Sequence, residues 1–235
     1  MKQAPLPSNE ATRLQALEAY NLLDTLPEPV FDDITRLASE ICRTPISLVS
    51  LVDKDRQWFK AKQGLKADQT PREYSFCAHA ILKPEEIFVV PDARQDERFH
   101  DNPLTTGDPY VVFYAGVPLV TPDGNALGSL CVIDKRPRTL TENQLMSLKA
   151  LGRWVSTEFE LRKTRKALES TQTNLKTVRQ ERNKAKQILL GDIYPMAQSL
   201  IQTSEALLDN APRADQVSGL NAILQTGFSL RNVSS

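Results

Sequence analysis

Apolar and polar positions follow two short periods up to about residue 160 and a longer one beyond it. The stretch NEATRLQALEAYNLLDTL at 9–26 spaces Leu14, Leu17, Tyr20 and Leu22 as one helix face, with Ser8 or Asn9 as its cap. Pro27 and Pro29 separate it from a second helix at 29–43, where Val30, Ile34, Leu37, Ala38 and Ile41 form the apolar face. The period then drops to two. ISLVSLVD (46–53) and WFKAKQG (58–64) read as neighbouring antiparallel strands, turned by VDKDRQ. REYSFCAHAILK (72–83) predicts a short helix, IFVVPDA (87–93) a strand ending at Pro91 and Asp92, and 94–110 a polar, irregular loop with one helical turn. VVFYAGVPLV (111–120) and ALGSLCVIDK (126–135) predict a second hairpin through Pro122, Asp123 and Gly124. Thr141 caps a long helix that carries Glu142 in its first turn. This order implies an α+β fold, an antiparallel sheet flanked by helices with one sheet face left for a pocket.

The third period is seven. Leu161, Leu168, Leu175 and Leu189 are seven or fourteen residues apart, with Arg182 in the gap. Thr164, Thr171, Val178 and Ala185 follow three residues behind the members of that row. The pattern predicts a parallel, two-stranded coiled coil whose seam includes Leu161, Leu168, Leu175, Val178 and Leu189. Beyond it, ILLGDIYPMAQSLIQTSEALLDN continues as helix. NAPRAD supplies a turn through Asn210, Pro212 and Asp215, and QVSGLNAILQTGFSLRNV forms another helix. Two such hairpins would pair into a four-helix bundle.

Charge sharpens this division. The formal net charge is zero, yet residues 162–186 hold nine Lys or Arg against Glu169 and Glu181. The charges spread around the helix without interleaved aromatics, which fits a solvated coiled-coil exterior rather than a nucleic-acid or membrane surface. Thirteen of the fifteen prolines precede residue 140. The first 30 residues lack the apolar core of a signal peptide, and no apolar run reaches the ~20 residues of a spanning helix. A cytoplasmic location is expected. Cys42, Cys77 and Cys131 are three cysteines at unrelated spacings in apolar contexts, which predicts buried thiols rather than a zinc site or disulfide framework.

The ordered motifs LVDKDRQWFKAKQGL, REYSFCAHAI, FVVPDARQDERFHDNPL and YAGVPLVTPDGNALGSLCVIDKRPRTLTENQLMSLKAL resemble a GAF domain, the kind found at the input end of bacterial sensor histidine kinases and diguanylate cyclases. The resemblance covers about residues 8–162. It implies a sensory domain at 8–162, a coiled-coil signalling helix at 163–190 and a helical hairpin at 191–235. The hairpin is similar to the dimerisation and phosphotransfer region of histidine kinases, but residues 181–235 contain no histidine. Phosphotransfer needs an imidazole nucleophile, and the two histidines, His79 and His100, lie in the GAF-like part. These residues therefore cannot autophosphorylate as a kinase does. The chain is expected to be the front part of a longer kinase or cyclase, or a regulator with a degenerate hairpin; SLRNVSS ends without a helix cap, which suits a chain that continues.

A GAF fold does not name its ligand. The expected pocket residues are Cys77, His79, Asp92, Phe99, His100, Asn102, Phe113 and Tyr114, drawn from SFCAHAI, FYAGVPL and the loop DARQDERFHDNPLTTGDPY. No further His/Cys cluster supports a metal or haem at Cys77 and His79, so no metal and no required cofactor are expected. A Cys-His dipeptide for bilin attachment is missing, and Leu140 stands where a cyclic-nucleotide signature would have an aromatic. The cysteines of the methionine-sulfoxide-reducing branch have no match. With no triad, carboxylate pair or phosphate loop, the chain is expected not to be an enzyme itself. The resulting expectation is a homodimeric, two-component-type sensor that takes a small molecule or partner and signals to an output region, without nucleic acid or membrane. The alternatives are a ligand-free interaction scaffold and a bilin or cyclic-nucleotide sensor.

Overall fold

The computed structural model describes residues 1–210 and 213–232. The chain divides into two compact units, Met1–Lys166 and Ala167–Ser235.

The first unit is built on a six-stranded antiparallel sheet. Its strands are β1 (Ile46–Val52), β2 (Arg56–Gln63), β3 (Gln69–Pro71), β4 (Phe88–Val90), β5 (Phe113–Val120) and β6 (Ala126–Asp134), in the spatial order β3-β2-β1-β6-β5-β4. Both predicted hairpins form, and β1 joins them by pairing with β6, Leu48 opposite Cys131 and Ser50 opposite Ser129. Every residue of β1 and β6 is buried, because both sheet faces are covered.

On one face lie α1 (Glu10–Tyr20), α2 (Pro29–Cys42) and the start of α5 (Glu142–Ile188). Leu17, Ile34, Leu148, Leu151 and Val155 pack there on Val49, Leu51, Val117 and Val132. Pro29 opens α2 at a position where its missing N–H is no loss. The buried stripe of α2 is Phe31, Ile34, Thr35, Ala38 and Cys42, one residue round from the expected face, and Ile41 is exposed. Phe31 sets this rotation: its ring packs 5.4 Å from that of Phe159, a large apolar area that outranks Ile41.

The other face is covered by α3 (Phe76–Ala80), α4 (Pro103–Thr106) and the chain between them. The helix expected at 72–83 shrinks to α3 because Ser75 caps it, its Oγ accepting from the Ala78 N–H at 2.9 Å. A 3₁₀ turn, Arg72–Tyr74, precedes it. The short edge strand β3 and the single turn of α4 hold too few residues to show a period.

The second unit contains the rest of α5, then α6 (Tyr194–Asp209) and α7 (Ala214–Asn232). The chain continues as helix through ILLGDIYPM, and within that stretch Leu189–Ile193 forms a π-helical turn. Pro195 has no N–H to return to Gly191 and its ring crowds that carbonyl, which a wider turn accommodates. α6 and α7 pack together, with Gly227 against Ile201. Pro212 of the expected turn and the terminal residues 233–235 lie outside the described residues. Among the described residues no helix is long and apolar enough to cross a membrane.

Candidate functional site

A cavity of about 90 Å³ lies between the sheet and the α3–α4 layer. Leu48, Phe59, Phe76, Leu104, Val111 and Ile133 form most of its wall, and Gln57, Thr70, Cys77, Asp108, Tyr114 and Cys131 supply its polar and sulfur atoms. Ala67 and Asp108 are exposed, so the cavity reaches the surface between β3 and the loop after α4. Ser75 Oγ donates to Gln57 Oε1, locking that amide. The buried Thr70 Oγ1 has no hydrogen-bond partner among the described residues. The volume holds about three waters or a ligand of a few heavy atoms. It falls below the roughly 300–1,000 Å³ of sites for larger ligands, so a bilin or a cyclic nucleotide would need the walls to move.

The sulfur chemistry is concentrated on the cavity floor. Cys77, at the start of α3, and Cys131, on β6, are both buried with their Sγ atoms 3.9 Å apart. The Tyr114 hydroxyl donates to Cys77 Sγ at 3.1 Å and lies 3.0 Å from Ser129 Oγ. Burial works against ionisation of Cys77, but hydrogen bonding at its sulfur, with the Tyr114 hydroxyl and the Cys131 thiol, outweighs it and holds its pKa below the ordinary thiol value. Burial and the neighbouring Cys77 hold Cys131 well above the ordinary thiol value. Burial, together with the two sulfurs, likewise raises Tyr114 far above an ordinary phenol.

Cys77 and Tyr114 of the expected pocket residues line this cavity; the others sit elsewhere. Phe99 stacks on Phe76 with ring centroids 3.9 Å apart, behind the wall. His79 packs edge-on against Phe99 at 4.8 Å, its Nε2 is 3.1 Å from the Lys2 carbonyl, and burial lowers its pKa. Asn102 caps α4, accepting from Leu104 N–H at 2.9 Å, and its amide donates to the Tyr74 carbonyl at 3.1 Å. Asp92 accepts from Arg94 at 2.7 Å. His100 is exposed beside Asp101. Phe113 is fully buried on the opposite sheet face, among the residues under the helices. Gln57, Thr70, Asp108 and Cys131, which sequence reasoning missed, complete the wall.

On α5 the expected seam residues Leu161, Leu168, Leu175 and Val178 are each half or more exposed in the single chain. Leu189 falls in the π-helical turn.

A family model described as GAF domain matches residues 27–159. A cyclic di-GMP phosphodiesterase of Pseudomonas aeruginosa is 40% identical over an alignment 207 residues long, which covers 84% of this chain and 35% of that protein. The chain thus spans about a third of that relative's length. Among solved structures, the blue-light absorbing form of the PixJ GAF domain from Thermosynechococcus elongatus matches 71% of this chain and 96% of its own at 18% identity, with a TM-score of 0.50. The GAF domain of an Acinetobacter phosphoenolpyruvate-protein phosphotransferase covers 66% and 95% at 18% identity, with a TM-score of 0.48. The phosphodiesterase corrects the expectation that the chain is not an enzyme: a relative this similar is named as one. That expectation rested on catalytic groups missing from 235 residues, a length that reaches a third of such a protein. With the family model matched over more than half of its residues, the chain belongs to the GAF domain family.

Proposed function

We propose that this chain is the sensory part of a cytoplasmic cyclic di-GMP signalling enzyme, active as a homodimer and regulated by a small molecule in the cavity under α3. The similarity to the Pseudomonas phosphodiesterase, 40% over most of this chain, carries the reading. The cavity supports the ligand class: it is small and mostly apolar, and offers one unpartnered hydroxyl, Thr70. A ligand of a few heavy atoms with one hydrogen-bonding group fits that chemistry. The route outward is α5, which begins against the sheet and continues as one helix to Ile188. Its exposed leucine row supports pairing with a second copy, so that a change at the cavity biases two helices together.

The test uses the product of the whole gene, wild type and Ala67→Trp, which places a large ring at the exposed mouth of the cavity. Cyclic di-GMP hydrolysis is measured with and without metabolite extract from the host. The expected result is hydrolysis by both proteins, with a response of several fold to the extract in the wild type alone. A gene product that leaves cyclic di-GMP intact would overturn the reading.

A further inference from the structure

We propose that Cys77 and Cys131 form a peroxide-oxidised dithiol, a modification site inside the first unit that closes into an intramolecular disulfide. The inference goes beyond the sensory reading, because its chemistry requires neither a cavity ligand nor an output enzyme.

Four observations carry it. First, the sulfurs stand 3.9 Å apart, so a bond of about 2.05 Å needs a further approach of roughly 2 Å. Cys77 lies on a five-residue helix and Cys131 in a central strand, so the approach is the smaller rearrangement if the short helix makes it. Second, both residues line a cavity with an exposed mouth, which admits a molecule the size of hydrogen peroxide. Third, Cys77 is equipped as the nucleophile. The Tyr114 hydroxyl donates to its sulfur, and its pKa is held below that of Cys131. Fourth, Cys42 lies on the other face of the sheet, where burial pushes its thiol up to about 11. The chain therefore carries its own unreactive control.

In the first step, the Cys77 thiolate attacks one oxygen of a hydroperoxide. The O–O bond breaks, Cys77 becomes a sulfenic acid, and the departing oxygen takes the thiol's proton. The Cys131 sulfur then attacks the Cys77 sulfur, the S–O bond breaks, and the hydroxide leaves as water with the Cys131 proton. Two thiols lose two electrons in total, and hydrogen peroxide is reduced to two waters, or an organic hydroperoxide to one alcohol and one water. Bond formation draws Cys77 away from the Tyr114 hydroxyl and brings α3 down onto the cavity floor. Oxidation thereby reduces the space that a ligand would occupy.

Tryptic mapping of the full, folded chain tests this directly, since each cysteine falls in a separate peptide: 37–43 for Cys42, 73–94 for Cys77 and 99–135 for Cys131. The protein is treated with hydrogen peroxide, alkylated without reductant, digested and analysed by mass. The expected result is a cross-linked 73–94/99–135 pair lighter by two hydrogens, with Cys42 alkylated and the link reversed by dithiothreitol. Cys77→Ala and Cys131→Ala should each abolish the link, and Cys42→Ala should leave it intact. Because the wild-type map stands alone, a poorly folding variant leaves the test unaffected. Three alkylated cysteines after peroxide, links through Cys42, or Cys77 converted to sulfinic acid without a link would each overturn the proposal.

Discussion

Glu28→Gln should destabilise the first unit more than removal of the lysine it faces. The Lys60 side chain is 0% exposed, and all three of its donors are used: Glu28 at 2.6 Å, the Leu26 carbonyl at 2.8 Å and Thr25 Oγ1 at 2.8 Å. Glu28 is 35% exposed and also accepts from Arg162 at 2.9 Å. Removing the carboxylate leaves a buried ammonium without its counter-charge, a change that costs about 3–5 kcal/mol in fully buried pairs. The retained amide oxygen and the exposure of Glu28 reduce this to about 2–3 kcal/mol. Lys60→Met instead leaves Glu28 paired with Arg162 and partly in water. Its cost is that of two unfilled acceptors less the gain of an apolar contact with Phe31, about 1 kcal/mol. The double variant should match Lys60→Met, with a coupling of about 2 kcal/mol. Urea titration followed by tryptophan fluorescence reads this unit alone, because both tryptophans, Trp58 and Trp154, belong to it.

The pH dependence of Glu28→Gln follows with a definite sign. Burial lowers the Lys60 pKa, and Glu28 opposes that shift in the wild type. A lysine whose folded pKa is depressed destabilises the fold below that pKa, and the penalty lifts as pH rises through it toward the unfolded value of about 10.4. The deficit of Glu28→Gln should therefore shrink above neutrality. Burial raises the Glu28 pKa, but Lys60 and Arg162 together lower it on balance. Its contribution is complete above about pH 4.3 and lost as pH falls through the folded value, so the two proteins converge in acid as well. A deficit below about 1 kcal/mol that stays flat with pH, or a Lys60→Met variant weaker than Glu28→Gln, would refute the reasoning.

Other changes should behave as follows. Gly128→Ala puts a Cβ 1.9 Å from the Ser50 carbonyl oxygen on the neighbouring strand, so thermal melting should show the first unit destabilised by at least about 3 kcal/mol. In Glu10, burial raises the carboxyl pKa, but hydrogen bonds and charge from Arg13 and Arg72 prevail and hold it at about 2. Glu10→Gln should cost about 2 kcal/mol at neutral pH, a difference that denaturant titrations should see vanish as pH falls from about 4 to 2. Leu168→Glu with Leu175→Glu places charges in the exposed leucine row. Sedimentation should then report a monomer in place of a dimer, with the tryptophan-detected melt of the first unit unchanged.

The sheet was legible because apolar runs of seven to nine residues bounded by turn residues, as in β1 and β6, are a strong local signal. β3 was not, since three residues cannot display a period, and α4 was legible only as a single helical turn somewhere in 94–110. The cavity was least legible, because its wall gathers residues from several elements far apart in sequence. His79 and His100 drew notice through residue type, which says nothing of direction. Phe113 and Tyr114 were both named although neighbours on a strand point to opposite faces, so the two could not share one pocket. Cys131 carried no local signal; its meaning comes from Cys77, 54 residues away in sequence and 3.9 Å away in space.

That same alternation bears on how a cavity could speak to a helix. Tyr114 and Cys131 face the cavity, while their neighbours Phe113, Ala115, Leu130 and Val132 face the helix layer. Cavity floor and helix seat are thus two sides of one backbone. At the contact with α5 nothing soft intervenes: a Cβ added to Gly152 would lie 2.8 Å from Val117 Cγ1. A shift of β5 or β6 by a fraction of an ångström must either be absorbed in the packing or move α5. Dense interiors have little free volume in which to absorb it. α5 is seated on this pair of strands through Leu148, Leu151, Gly152 and Val155, so it is the element of the helix layer that a displacement of β5 would reach without an intervening residue.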